Sequence, residues 1–168
     1  LATRGLIDLG NAYFVRGDPA EAAKRYEQAL EYARRFHAQR SEARALISLG
    51  SLELQQGQRA EGLRKVETAR AWYERGGYQR ETAQALILIA REQRENGDLA
   101  GALRSFEQQL TIARNLGEQA QAGVAQQGIG SVLEAQERWP EALSHFREAS
   151  ALAAQGGDRL SAPYYAID

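Results

Sequence analysis

The sequence predicts an all-α protein built as a stack of helical hairpins. Three observations carry that prediction: a fixed internal period, a helix-forming composition, and stop and start signals that recur in register. Shifted by 40 residues, the 168-residue chain aligns with itself without a gap. Leu9-Gly10 recurs as Leu49-Gly50, Ile89-Ala90 and Ile129-Gly130. Ala22 recurs as Gly62, Ala102 and Ala142, and Tyr26 as Val66, Phe106 and Phe146. Such a period marks a repeat architecture, in which one unit cannot bury its apolar face alone and neighbours must stack.

The repeats run approximately 1–40, 41–80, 81–120 and 121–160 in a single array over 1–168. Residues 161–168 begin a fifth, since Ile167 falls where Ile7, Ile47 and Ile87 fall. Alanine, glutamate, glutamine, leucine and arginine dominate, and these residues favour helix. Only three prolines interrupt.

Each repeat reads as two helices. The first spans about 2–16 and carries Leu6, Ile7, Leu9, Tyr13 and Phe14 at helical spacing. Gly17 stops it. Asp18 then supplies an N-cap, Pro19 the first helical position, and Glu21 the far side of a capping box. The second helix spans about 19–36, with Ala22, Ala23, Tyr26, Ala29, Leu30 and Ala33 on its buried stripe. It ends near Gly77, Gly117 and Gly157 in later repeats, the place His37 holds in the first. Mid-helix glycine costs about 1 kcal/mol relative to alanine. Its recurrence at Gly10, Gly50 and Gly130 therefore predicts close approach of the paired second helix.

Composition excludes several function classes. Twenty-one basic against 22 acidic residues give a net charge of −1, which supplies no bulk attraction to nucleic acid or an anionic membrane. The chain has no cysteine, so disulfides, thiolate metal sites and cysteine nucleophiles are absent. Its two histidines, His37 and His145, lack ligands at metal spacing and read as surface or cap residues. No catalytic, metal or cofactor site is expected. With no methionine at all, the chain reads as a piece of a longer protein, and a cytoplasmic location is expected.

These residues resemble the tetratricopeptide repeat (TPR) family. The first repeat reads Leu6-x2-Leu9-Gly10-x2-Tyr13, then Ala22-x3-Tyr26-x2-Ala29, and the fourth keeps Ile129-Gly130 and Ala142-x3-Phe146-x2-Ala149. The period exceeds the family's usual one of about 34 residues. It resembles the longer variety found in LGN/Pins adaptors, kinesin light chains and bacterial TPR regulators. HEAT repeats reach the same period but do not predict these recurring pairs, and PPR repeats are shorter and basic. Glu53 and Gln93 replace the aromatic of Tyr13, Gln126 replaces a leucine, and Gln109 replaces a small residue. The turn Glu137-Arg138-Trp139-Pro140 lacks its glycine. These departures are expected to weaken individual repeats.

The resemblance implies a right-handed superhelix whose concave groove, lined by first helices, binds a peptide or helix of a partner protein. Carried over position by position, the groove comprises Arg4, Ile7, Asn11, Phe14 and Val15, then Arg44, Ile47, Ser51, Leu54 and Gln55. It continues through Gln84, Ile87, Arg91, Arg94 and Glu95 to Val124, Gln127, Ser131, Glu134 and Ala135. Ile7, Ile47 and Ile87 form an apolar track beside Phe14 and Leu54. Arg4, Arg44, Arg91 and Arg94 against Glu95 and Glu134 leave a surplus of +2. A partner with acidic and apolar residues follows, since the arginine fork pairs with carboxylates at two points. A carboxylate clamp of the chaperone-binding kind is not expected, because Ile7, Ser48, Gln84 and Leu88 stand where its other residues belong. Asn11 alone is placed to bond a peptide backbone.

Trp72 is expected to pack between repeats, Trp139 with Pro140 to staple a helix start, and Lys24-Arg25 and Arg34-Arg35 to be solvated. Alternatives to a groove module are a regulatory sensor array in a larger bacterial signalling or transcription protein, and a structural unit self-associating through exposed repeat ends.

Overall fold

The computed structural model describes residues 2–155. The expected cap at Gly157 and the start of a fifth repeat, with Tyr164, Tyr165 and Ile167, lie outside them. Among the described residues there are eight α-helices and no strand: α1 (Ala2–Val15), α2 (Pro19–Arg35), α3 (Gln39–Gln55), α4 (Arg59–Arg75), α5 (Gln79–Glu95), α6 (Leu99–Asn115), α7 (Gln119–Ala135) and α8 (Trp139–Gln155). The fold is an all-α helical-hairpin repeat. The chain divides into two compact units, residues 1–78 and 79–168, each with two hairpins. In the first unit α1 packs on α2, α2 on α3 and α3 on α4, and α1 also meets α3. In the second α5, α6, α7 and α8 repeat that order, and α5 meets α7.

Each unit has its own core. Ile7, Tyr26, Leu46, Leu49, Leu52 and Tyr73 gather in the first, and Phe106, Leu110, Ile129, Val132, Leu133 and Phe146 in the second. Trp72 stacks on Tyr78 with centroids 5.1 Å apart, and its Nε1 donates to Gln39 Oε1 at 3.4 Å, contacts at the α3–α4 hairpin.

The helical glycines have two distinct packing reasons. A Cβ on Gly10 would lie 2.4 Å from Tyr26 Cε1, and one on Gly130 would lie 2.7 Å from Phe146 Cε1. There the ring four residues past the small residue of the second helix rests on bare backbone. In the second hairpin backbone meets backbone: a Cβ on Gly50 would stand 2.8 Å from Gly62 O, and one on Gly62 2.8 Å from Gly50 O.

The turns explain how a repeat survives without its glycine. Gly17 has φ +81°, its N–H bonds Phe14 O at 3.0 Å, and Asp18 N–H bonds Tyr13 O at 3.0 Å, the two closures of a Schellman cap. Glu137 adopts the same left-handed conformation at φ +61° with the equivalent bonds, and His37 does so at +52°. An L-residue there costs about 1–2 kcal/mol, a strain that packing of the two flanking helices sustains.

Several expectations are corrected by packing. Leu9 is 43% exposed, because α1 has no described helix on the side where α2 covers α3. Phe14 also reaches the surface, and Ala23 is only half-buried. Asp18 caps α2, its Oδ1 accepting from Glu21 N–H at 3.1 Å, but the Glu21 carboxylate turns to Lys24 and Arg25 and does not close the box. Arg25 is therefore not solvated. It is half-buried, paired with Glu21, and its guanidinium lies 5.7 Å from the Tyr13 ring centroid. Arg34 pairs with Glu42 at 3.0 Å. Trp139, at the start of α8, is 59% exposed. His145 is no surface residue: half-buried, it shares a hydrogen bond of 2.5 Å with buried Gln126 through Nδ1 and Oε1.

The residues that break the aromatic pattern are matched across their hairpins. Glu53 accepts from Lys65 Nζ at 2.7 and 2.8 Å, and Gln93 Oε1 accepts from Ser105 Oγ at 2.8 Å. Both pairs span twelve residues, the spacing of Tyr13 and Arg25. At this place the facing helix supplies both Glu53 and Gln93 with a complementary polar group.

Candidate partner-binding surface

The first helices turn one side to their neighbours and the opposite side outward. On α5 the buried residues Ala85, Leu86, Ile89, Ala90 and Glu92 define the inward side. Gln84, Ile87, Arg91, Arg94 and Glu95 remain exposed or half-buried on the other. In the first unit Arg4, Asn11, Phe14 and Val15 of α1 and Arg44 and Gln55 of α3 are exposed, with Ile47, Ser51 and Leu54 half-buried. In the second unit Gln127 and Ala135 of α7 are exposed, and Val124, Ser131 and Glu134 half-buried. Ile7 is the exception. At 1% exposure it belongs to the core and presents nothing to a partner, which leaves Ile47 in the first unit and Ile87 in the second as the half-buried isoleucines of the set.

Charge is organised differently in the two units. Asp8, absent from the predicted set, stands between the two arginines of the first: Arg44 Nη2 lies 3.4 Å and Arg4 Nε 3.8 Å from its carboxylate oxygens. The signal was legible as an Arg4–Asp8 pair at helical i,i+4 spacing. The bridge from α3 is tertiary. In the second unit Arg91 is exposed and Arg94 half-exposed, and neither has an ion pair or hydrogen bond among the described residues. Arg25 and Arg34 of α2 and Arg64 and Arg70 of α4 are by contrast tied to Glu21, Glu42, Glu61 and Glu74, whereas Arg104 of α6 and Arg147 of α8 are, like Arg91, without an ion pair or hydrogen bond among the described residues.

Asn11 is held from below. Tyr26, 4% exposed, donates its hydroxyl proton to Asn11 Oδ1 at 2.7 Å, and burial pushes the Tyr26 phenol above its ordinary pKa. With Oδ1 occupied, the outward resource of Asn11 is its Nδ2 donors. On the second unit Gln84 also borders an open hollow of about 510 Å³ with Ala83, Gln121 and the ion-paired Arg80 and Glu118. Among the described residues no three histidine, aspartate or glutamate side chains are placed to hold a metal ion, and no helix is long and apolar enough to cross a membrane.

Sequence comparison agrees with this geometry. The family model for the tetratricopeptide repeat matches residues 2–64 and 81–155, and the chain belongs to that family. No curated protein sequence matches it. Among solved structures it is similar to BtubC from P. vanneervenii, with a TM-score of 0.83 at 18% identity, covering 99% of this chain and 68% of that one. It is also similar to a Rap protein complexed with competence and sporulation factor, with a TM-score of 0.79 at 19% identity over 90% of this chain and 43% of that one. The TPR-like repeats of a Podosopora anserina kinesin light chain give 0.75 at 19% identity over 90% of this chain and 75% of theirs. At these identities the likeness is one of fold.

Proposed function

We propose that the chain is a non-catalytic protein–protein interaction module, binding a peptide or helical segment of a partner on the outward face of its first helices. The observation that supports this most is the pair of unpartnered guanidinium groups, Arg91 and Arg94, beside half-buried Ile87 on α5. Half-buried apolar side chains offer anchors. Cations without internal partners can pair with a ligand at no cost in intramolecular bonds. On this reading Arg4, Asn11, Phe14, Arg44, Ile47, Ser51, Leu54, Gln127 and Ser131 complete the contact surface. The Rap neighbour, solved complexed with competence and sporulation factor, has a like fold, which supports this reading.

The test is affinity capture from source-cell lysate with the native chain and an Arg91→Glu, Arg94→Glu variant of equal helicity. A partner retained only by the native form supports the surface. A partner retained equally by both moves binding elsewhere.

A second reading is self-association through repeat ends. The exposed Leu9 of α1 and the exposed Trp139 and Leu143 of α8 favour it.

A further inference from the structure

The predicted basic set treats four arginines as equivalent, but their surroundings divide them. Arg4 and Arg44 share Asp8, at 3.8 and 3.4 Å, so one carboxylate offsets one of the two positive charges on the first unit's face and leaves +1. A partner carboxylate arriving there would have to displace Asp8 and would meet its repulsion. Arg91 and Arg94 lie three residues apart on α5, hence on neighbouring positions of one helix face. Asn11, the register equivalent of Arg91, and Phe14, that of Arg94, are uncharged. Of the outward acidic residues nearby, Glu95 has a partner of its own and Glu134 on α7 pairs with neither arginine.

We infer that acidic side chains of a partner are read chiefly at Arg91 and Arg94 of the second unit, and that Arg4 and Arg44 of the first unit act as a bridge between α1 and α3. The inference rests on the proposed first-helix surface and adds the chemistry of the ligand. A carboxylate side chain of an extended or helical segment meets the α5 fork in the second unit. Hydrogen bonds between an arginine and a carboxylate are charge-assisted and directional, and these guanidiniums need break no internal bond to form them.

The probe is a random 12-residue peptide library displayed on phage, selected against three forms of the whole chain. These are the native protein, Arg91→Gln with Arg94→Gln, and Arg4→Gln with Arg44→Gln, each first matched for helicity. The expected result is a native pool enriched in aspartate and glutamate together with leucine-like residues. The Arg4/Arg44 variant retains that acidic enrichment. The Arg91/Arg94 variant loses it, and binds the native-selected peptides roughly tenfold to a hundredfold more weakly. Pools enriched without acidic residues, or acidic enrichment lost only in the Arg4/Arg44 variant, overturn the assignment while leaving the surface itself standing. Failure of all three forms to enrich any peptide overturns both.

Discussion

Gly5 and Gly10 lie on the same helix, yet substitution by alanine should move stability in opposite directions. A Cβ on Gly5 meets nothing within 4 Å, so Gly5→Ala gains helix propensity, about 0.5–1 kcal/mol. A Cβ on Gly10 would collide with the buried ring of Tyr26 at 2.4 Å. Overpacking costs about 1–3 kcal/mol and outweighs the same propensity gain, so Gly10→Ala should destabilise. Urea unfolding of the two variants measures both signs. Tyr26 also carries a pH dependence. Its folded pKa is raised by burial above the unfolded value near 10.0, so the folded state holds the phenolic proton more tightly. That contribution is complete below the ordinary tyrosine range and is lost as pH rises through the folded pKa. Tyr26→Phe should flatten the alkaline fall in stability that sets in above the ordinary tyrosine value of 10.0, although it also removes the bond to Asn11. Equal alkaline slopes for the two proteins would refute the assignment.

At the scale of the helical hairpin, one place in the repeat carries a different chemical pair each time. An arginine faces a tyrosine in the first, a carboxylate meets a lysine in the second, and an amide meets a hydroxyl in the third. The Glu53 and Lys65 side chains are 17% and 16% exposed, between surface pairs worth up to about 1 kcal/mol and buried ones whose breakage costs about 3–5. Glu53→Ala or Lys65→Ala alone should cost about 1–3 kcal/mol on that scale. The double variant should cost less than the sum of the two, and a double-mutant cycle in guanidinium-induced unfolding reads the coupling. Strict additivity would mean that the pair contributes no specific energy. Sequence periodicity located Glu53 and Gln93 as departures. It could not reveal their compensation, because a partner twelve residues away on an antiparallel helix is in contact only once the hairpin has closed.

At the scale of the whole molecule, the repeat register makes the exposed residues informative. Leu49 and Ile129 are 4% and 3% exposed, whereas their equivalent Leu9 is 43% exposed. If such faces seek a second copy, sedimentation velocity should show mass rising with concentration, and Leu9→Glu with Leu143→Glu should return the chain to monomer. A native chain that stays monomeric at every concentration removes this second reading. Stacking of repeats remains a nearest-neighbour affair, which is why a one-residue change at an end face reports on association while interior packing is left intact.

The amino-acid sequence by itself determined the helix content, the period, the turn positions and the family, because these depend on local signals and on patterns that recur in register. The family resemblance carried Arg91 and Arg94 over as outward positions, and in the structure Arg91 is exposed and Arg94 half-exposed. Tertiary structure decided which outward charges are free. Asp8, the i,i+4 partner of Arg4, reaches Arg44 only because α3 lies beside α1, and Ile7 leaves the predicted surface because it joins the core of the first unit. Repetition sets the position of each side chain on its helix, whereas its available charge and exposure depend on the neighbours that packing brings against it.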